Sequence, residues 1–340
     1  MTLRLLEVVI PADLVESVRE ALEGQTAHGV WEEPISERLA LVRILLSGEH
    51  TEEVCDRLEG RFASHEGFRI LLLPVEATIP RLPEPPPLAE EAPAAAEQPP
   101  APKRPRISRE ELYADIGETV RPSMVYLVMI ILSAVVAAIG LLRDNVAILI
   151  GAMVIAPLLG PNVALALATT LGDVALARRA VAVTALGVLT TLALAVVLGA
   201  ALAVDPTIPE LAARTQVGLG DIALALASGV AGALAFTTGA SSALIGVMVA
   251  VALLPPLVTL GLLLGSGNWR LAEGAALLFL INITCINLAG VVTFLAQGVR
   301  PRAWWQASRA TRASRIAVGA WIVLLLLLAV LIILAERRGA

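Results

Sequence analysis

The side chains able to do chemistry in residues 121–340 are amides, hydroxyls and helix breakers rather than acids and bases. Asn145 and Asn162 flank one apolar segment that contains Pro157, Gly160 and Pro161. Ser241, Ser242 and Thr259 flank a second, which contains Gly246, Pro255 and Pro256. Asn282 and Asn287 stand about one and a half turns apart in a third run, with Thr284 between them. All three histidines precede residue 121, and neither an HExxH pattern nor a His/Asp pair follows it. Hydrolytic catalysis therefore has no candidate residues in this part, and no enzyme activity, cofactor or metal site is expected. An unpaired amide in hydrocarbon costs about 4–8 kcal/mol, so the asparagines must face the protein interior. There they can bond one helix to another, or stand in for water around a permeating solute as filter carbonyls do. A path without mid-depth carboxylates disfavours a proton pump. It suits a desolvated monovalent ion or a small neutral or anionic solute, and the 4% aromatic content argues against stacking sugars.

The elements that position these residues follow from composition. Of 340 residues, 57% are apolar and 16% charged, with a mean hydropathy of +0.80; soluble domains are near 45–50% and 25%. Residues 1–121 hold 23 acids and 13 bases, a balance of −10, whereas the remainder carries 7 acids and 12 bases, a balance of +5. The net acidity thus belongs to a soluble front end, and nothing points to nucleic acid as a partner. Cys55 and Cys285 form no disulfide framework. Arg4, Glu7, Pro11 and Asp13 interrupt the first apolar stretch, so no secretory leader opens the sequence.

In the front end, residues 3–10, 30–35, 38–46 and 68–75 read as strands. Leu14, Val18 and Leu22, then Val54, Leu58 and Phe62, mark two amphipathic helices, the second capped by Thr51. The order β-α-β-β-α-β predicts a ferredoxin-like α+β domain over residues 1–76. Its open sheet edges favour a homo-oligomer. His28 beside Trp31 is a possible ligand contact, although a loop histidine near a sheet edge is the plainer reading. Residues 77–107 form a linker with ten prolines between Pro80 and Pro105. Residues 108–120 predict a helix at the membrane surface, with Ser108 and Glu111 as a capping box.

Beyond it, charges bracket uncharged intervals of 21, 28, 25, 48, 26 and 20 residues, the longest holding two spans hinged near Thr238–Ser242. At about 20 residues per span this makes seven transmembrane helices. With the N-terminus inside, inner segments carry twelve basic residues and outer segments five, which predicts a cytoplasmic front end.

Residues 149–180 and 244–275 match at 15 of 32 positions without a gap at a spacing of 95, including Gly151 with Gly246, Pro161 with Pro256 and Gly172 with Gly267. Three spans separate the copies, so they enter the bilayer from opposite sides. The expected architecture is a 3+3 inverted repeat (residues 121–214 and 215–299) plus a basic loop and seventh helix (300–340). Prolines in the middle helix of each copy predict two broken helices meeting at a transport site. Gly151 and Gly246 would contact solute or allow close helix approach.

The stretches LLRDNVAILIGAMVIAPLLGPNVALALATTLGD (141–173), SSALIGVMVAVALLPP (241–256) and GAALLFLINITCINLAGVVTF (274–294) resemble the domain-of-unknown-function 389 family of prokaryotic membrane proteins. The resemblance covers roughly residues 120–297. It implies a multi-pass protein of the prokaryotic cell membrane, whose partners are the bilayer and a small ion or solute, and it carries over no functional residues. Two functions fit: a transporter or channel with its path between the repeats, regulated by the soluble domain, or a membrane-anchored sensor whose soluble domain binds a ligand while the membrane part anchors and oligomerises.

Overall fold

A computed structural model describes residues 3–79, 108–238, 242–299, 316, 318–327 and 330. The chain divides into two compact units, Met1–Leu112 and Tyr113–Ala340.

In the first unit, strict alternation of apolar residues generates β1 (Leu3–Pro11) and β3 (Leu39–Ser47), which pair antiparallel. Helix α1 (Val15–Leu22), β2 (Ala27–Pro34), helix α2 (Gly48–Phe62) and β4 (Arg69–Val75) complete a four-stranded sheet of order β2-β3-β1-β4. Leu6, Val8 and Ile10 of β1 and Val42, Ile44 and Leu46 of β3 pack with Val18 and Leu22 of α1 and Val54, Leu58 and Phe62 of α2 into one core. Thr51 does not cap α2. The helix begins three residues earlier, and the buried Thr51 hydroxyl donates to the Ser47 carbonyl.

Helix α3 (Arg109–Thr119) starts in this unit. Its expected capping box is half made: Ser108 Oγ accepts the Glu111 amide at 3.2 Å. The Glu111 carboxylate turns instead to Arg4, with bonds of 2.9 and 3.0 Å to the guanidinium. The physical reason is that Arg4 occupies a buried position on β1 and requires an anionic partner. The Arg109 amide donates to Glu52, and its side chain to Asp56, each at 2.7 Å. The first turn of α3 is therefore tied to the sheet unit.

In the second unit, α4 (Met124–Leu142), α7 (Val174–Ala201), α9 (Leu219–Thr238) and α11 (Trp269–Ala296) are long and apolar enough to cross a bilayer. Helices α5 (Val146–Ile155) and α6 (Leu159–Leu171) form one further apolar pair, bent by 55°. A short helix α8 (Pro209–Ala212) precedes α9, and α10 (Ser242–Gly265) follows it. Of the expected seventh span, the described part is an apolar helix over Val318–Leu327. The remainder of that span and residues 80–107 of the linker lie outside the described residues.

Two turns in this unit have the same construction. Gly172 (φ 68°) ends α6 and Gly267 (φ 81°) ends α10, each in the left-handed region that favours glycine. The next residue in each case bonds back five positions, Asp173 N–H to Ala168 O at 2.9 Å and Asn268 N–H to Leu263 O at 2.8 Å. The following helices then start at Val174 and Trp269. Every member of one turn lies 95 residues from its counterpart.

Close packing follows the same spacing. Gly261 of α10 abuts Ala195 of α7, and a Cβ on Gly290 of α11 would stand 2.8 Å from the Ala166 Cβ of α6. Residues 166 and 261 differ by 95, as do 195 and 290. The segment GLLLG (261–265) lets backbones meet: Gly265 touches the Val196 carbonyl, and Gly199 touches Leu262. This is the small-xxx-small packing of membrane helices, in which dispersion between backbones replaces the hydrophobic drive. Gly151 behaves differently. It is exposed, and nothing lies within 4 Å of a Cβ built there.

These environments predict opposite outcomes for two substitutions. Gly265→Leu should lower the thermal midpoint, with an overpacking cost of about 1–3 kcal/mol. Gly151→Ala should hold or raise it, since alanine is favoured over glycine in a helix by roughly 0.5–1 kcal/mol. Thermal melts in detergent decide the matter; equal destabilisation by both would contradict the packing described.

Candidate functional site

The polar residues of the apolar helices are distributed unequally. Asn145 caps α5, its Oδ1 accepting the Ile148 amide at 3.0 Å, and it takes no part in the buried cluster. Ser241 and the side chains of Ser242 and Gly246 lie outside the described residues. Asn162, Thr259, Asn282 and Asn287 are all buried.

Three of these four join helices that prolines have altered. In the first copy the chain leaves helical geometry at Ala156 (ψ 116°), and α6 restarts at Leu159. Pro157 and Pro161 lack an N–H, so the carbonyls of Met153 and Pro157 cannot receive the helical bond from four residues on. Asn162 follows at once. Its Nδ2 donates to the Leu158 carbonyl at 2.8 Å, and its Oδ1 accepts Asn287 Nδ2 of α11 at 3.2 Å. Ser133 of α4 donates to the Ala152 carbonyl beside the same break at 2.8 Å.

The second copy departs from expectation. Helix α10 runs through Pro255 and Pro256 without interruption. The reason lies on α11: Asn282 Nδ2 donates at 2.7 Å to the Ala252 carbonyl, the acceptor that Pro256 leaves without its helical donor. A neighbouring side chain thus replaces the missing backbone N–H, as a proline-containing helix in lipid requires. Helix α11 is consequently the strut of the site, tied to α6 through Asn287 and to α10 through Asn282.

Gly160 belongs to a different contact. A Cβ there would collide with Thr119 at the end of α3, so this glycine seats α3 on the start of α6. Tyr113, also on α3, donates to the Asp173 carboxylate at 2.7 Å just beyond the end of α6. That hydrogen bond, followed by partial burial, raises the phenol above its usual value. Thr119, Ser133 and Ala252 were not singled out by sequence, since nothing in their types distinguishes them.

Several buried acceptors at these helices have no donor: Asn282 Oδ1, Asn287 Oδ1 and the hydroxyl oxygens of Thr184, Thr191 and Thr259. Among the described residues no group of His, Cys, Asp or Glu could hold a metal ion. In the sheet unit, His28 sits at the irregularity between β2 and β3 with its Nε2 buried and unpartnered, while the Trp31 ring folds back over Gly29.

Fold and site together describe a mostly helical protein with several helices able to span a bilayer, attached to a small antiparallel sheet unit. The chain belongs to the family described as Domain of unknown function (DUF389), whose sequence profile matches residues 153–288, the segment that contains the break, both proline pairs and the three asparagines. It is 33% identical over 334 residues to the uncharacterised protein MJ0678 of Methanocaldococcus jannaschii, covering 98% of this chain and 99% of that protein. No solved structure matches the chain.

The role assigned to Asn282 is open to a double-mutant cycle. Asn282→Leu should cost about 1–3 kcal/mol by leaving the Ala252 carbonyl unpaired. Adding Pro256→Ala, which restores the N–H, should recover much of that loss. If the two changes simply add in thermal melts, Asn282 does not substitute for the backbone donor.

Proposed function

We propose that this is a multi-pass transporter or channel for a small ion or solute, whose path lies where the two 95-residue-spaced copies meet. The observation that carries the reading is the pair of exchanged contacts, Ala166 with Gly290 and Ala195 with Gly261. Ala166 lies 95 residues before Gly261 and Gly290 lies 95 residues after Ala195, so exchanging the two copies turns one pair into the other. Such exchange is what a twofold axis between copies generates, and three spans per copy would place that axis in the membrane plane. Next to this junction lies the buried asparagine set, beside a helix that is interrupted rather than merely kinked. A scaffold gains nothing from buried acceptors without donors, each of which costs free energy.

The sheet order β2-β3-β1-β4 with two helices is the arrangement a ferredoxin-like module gives, and we read the first unit in that way, as a cytoplasmic regulatory domain. The basic-residue distribution supports the orientation. The contrasting reading, a sensor whose helices only anchor it, requires that the junction stay closed to water.

Reconstitution distinguishes them. Proteoliposomes should pass at least one small ion or solute from a panel, and flux should fall with Asn287→Leu. In a variant lacking Cys55 and Cys285, Asn162→Cys and Leu257→Cys should react with a membrane-impermeant maleimide. Ile130→Cys, fully buried in α4, should not. Protection of both junction cysteines from either side, with no flux of any solute, would favour the sensor.

A further inference from the structure

The hydrogen bonding of the buried asparagines has a polarity. Asn162 Nδ2 is committed to Leu158 O, Asn282 Nδ2 to Ala252 O, and Asn287 Nδ2 to both Ile283 O at 2.9 Å and Asn162 Oδ1. These partners are carbonyl and amide oxygens, which only accept. Rotating any of the three amides by half a turn would set oxygen against oxygen, so the surroundings fix their orientation. Every amide nitrogen is therefore engaged, whereas Asn282 Oδ1 and Asn287 Oδ1 are buried and lack donors. On the same helices Thr284 donates to Leu280 O and Thr170 to Ala166 O, so their hydroxyl oxygens keep only acceptor capacity. At the break, the Met153 and Pro157 carbonyls lack helical donors by the chemistry of proline.

From this surplus of acceptors we infer that the Asn162–Asn287 junction beside the α5–α6 break binds a partly dehydrated alkali-metal cation. The inference rests on the transport reading and narrows its substrate class. An anion would need several N–H donors turned toward it, whereas each of these amide nitrogens already donates to a carbonyl or amide oxygen and two amide oxygens have no partner at all. A divalent cation would need carboxylate oxygens to offset its dehydration, and the described residues offer no acidic group there. Neutral oxygens match a single positive charge, as backbone carbonyls do in potassium filters. The orphaned Asn287 Oδ1, on a fully buried residue at the junction, is the cost that such a cation would relieve.

The test uses the full chain in detergent, melted at one ionic strength in lithium, sodium, potassium, rubidium or N-methylglucamine chloride. One or two of the alkali cations should raise the midpoint saturably, by on the order of 5 °C. Replacing chloride by gluconate should change nothing, and Asn287→Leu should abolish the cation response. Should that variant not fold, retention of radiolabelled sodium or rubidium by the wild-type protein, competed by the unlabelled salt, reads the same site. Equal midpoints in all chloride salts with no retained label would overturn the inference, as would stabilisation that follows the anion. Solute flux without any cation effect would remove the cation and leave the path. Saturable cation binding with no flux would keep the cation and remove the transport reading.

Discussion

A proline inside an apolar helix leaves one carbonyl without its donor, and a bilayer supplies no water to take its place. This chain answers that constraint in two ways. Around Pro157 the helix gives up: the backbone extends at Ala156 and restarts at Leu159. Around Pro256 it continues, because an asparagine from the next helix reaches the freed carbonyl. Most of what distinguishes the two copies at the junction follows from that difference. The interrupted helix needs a polar residue directly after the gap, and Asn162 is there. The continuous helix needs a donor opposite, and Asn282 is there. Helix α11 serves both copies at once, which is why its buried face carries two asparagines and two threonines rather than leucine throughout.

The parts of the fold governed by local rules were legible. Alternation in β1 and β3 announced buried strands, and the stripes of α1 and α2 announced their inner faces. Charges bracketing uncharged stretches located α4 and α7, and the expected hinge near Thr238–Ser242 matches the end of α9 at Thr238 and the start of α10 at Ser242. The break at Pro157 was legible for the same reason, since proline acts on its own chain. Continuity through Pro256 was not, because the rescuing donor lies 30 residues from the carbonyl it serves. Likewise Ser108 and Glu111 have the spacing of a capping box, but the Arg4 guanidinium, 107 residues away, wins the carboxylate. A charged, bidentate, half-buried pair outweighs a single bond to a backbone amide.

The glycines of the helical unit differ in environment. Gly151 attracted notice because it recurs in the second copy, yet it faces outward. The glycines that carry the packing, Gly199, Gly261, Gly265 and Gly290, do so because backbone or a small side chain meets them directly. The GLLLG spacing is the signal that could have located two of them. Among the asparagines, type and burial were inferable from the cost of placing an amide in hydrocarbon. Which of them would share a hydrogen bond was not, since Asn162 and Asn287 are 125 residues apart.

The crossed contacts, Ala166 on Gly290 and Ala195 on Gly261, have a consequence for how the helical unit is assembled. Helix α6 seals against α11 and α10 against α7, so the helices before α8 and those after it share one interior. Cutting the chain between α8 and α9 would break neither contact, so the two fragments should stay interlocked rather than part as self-sufficient bundles.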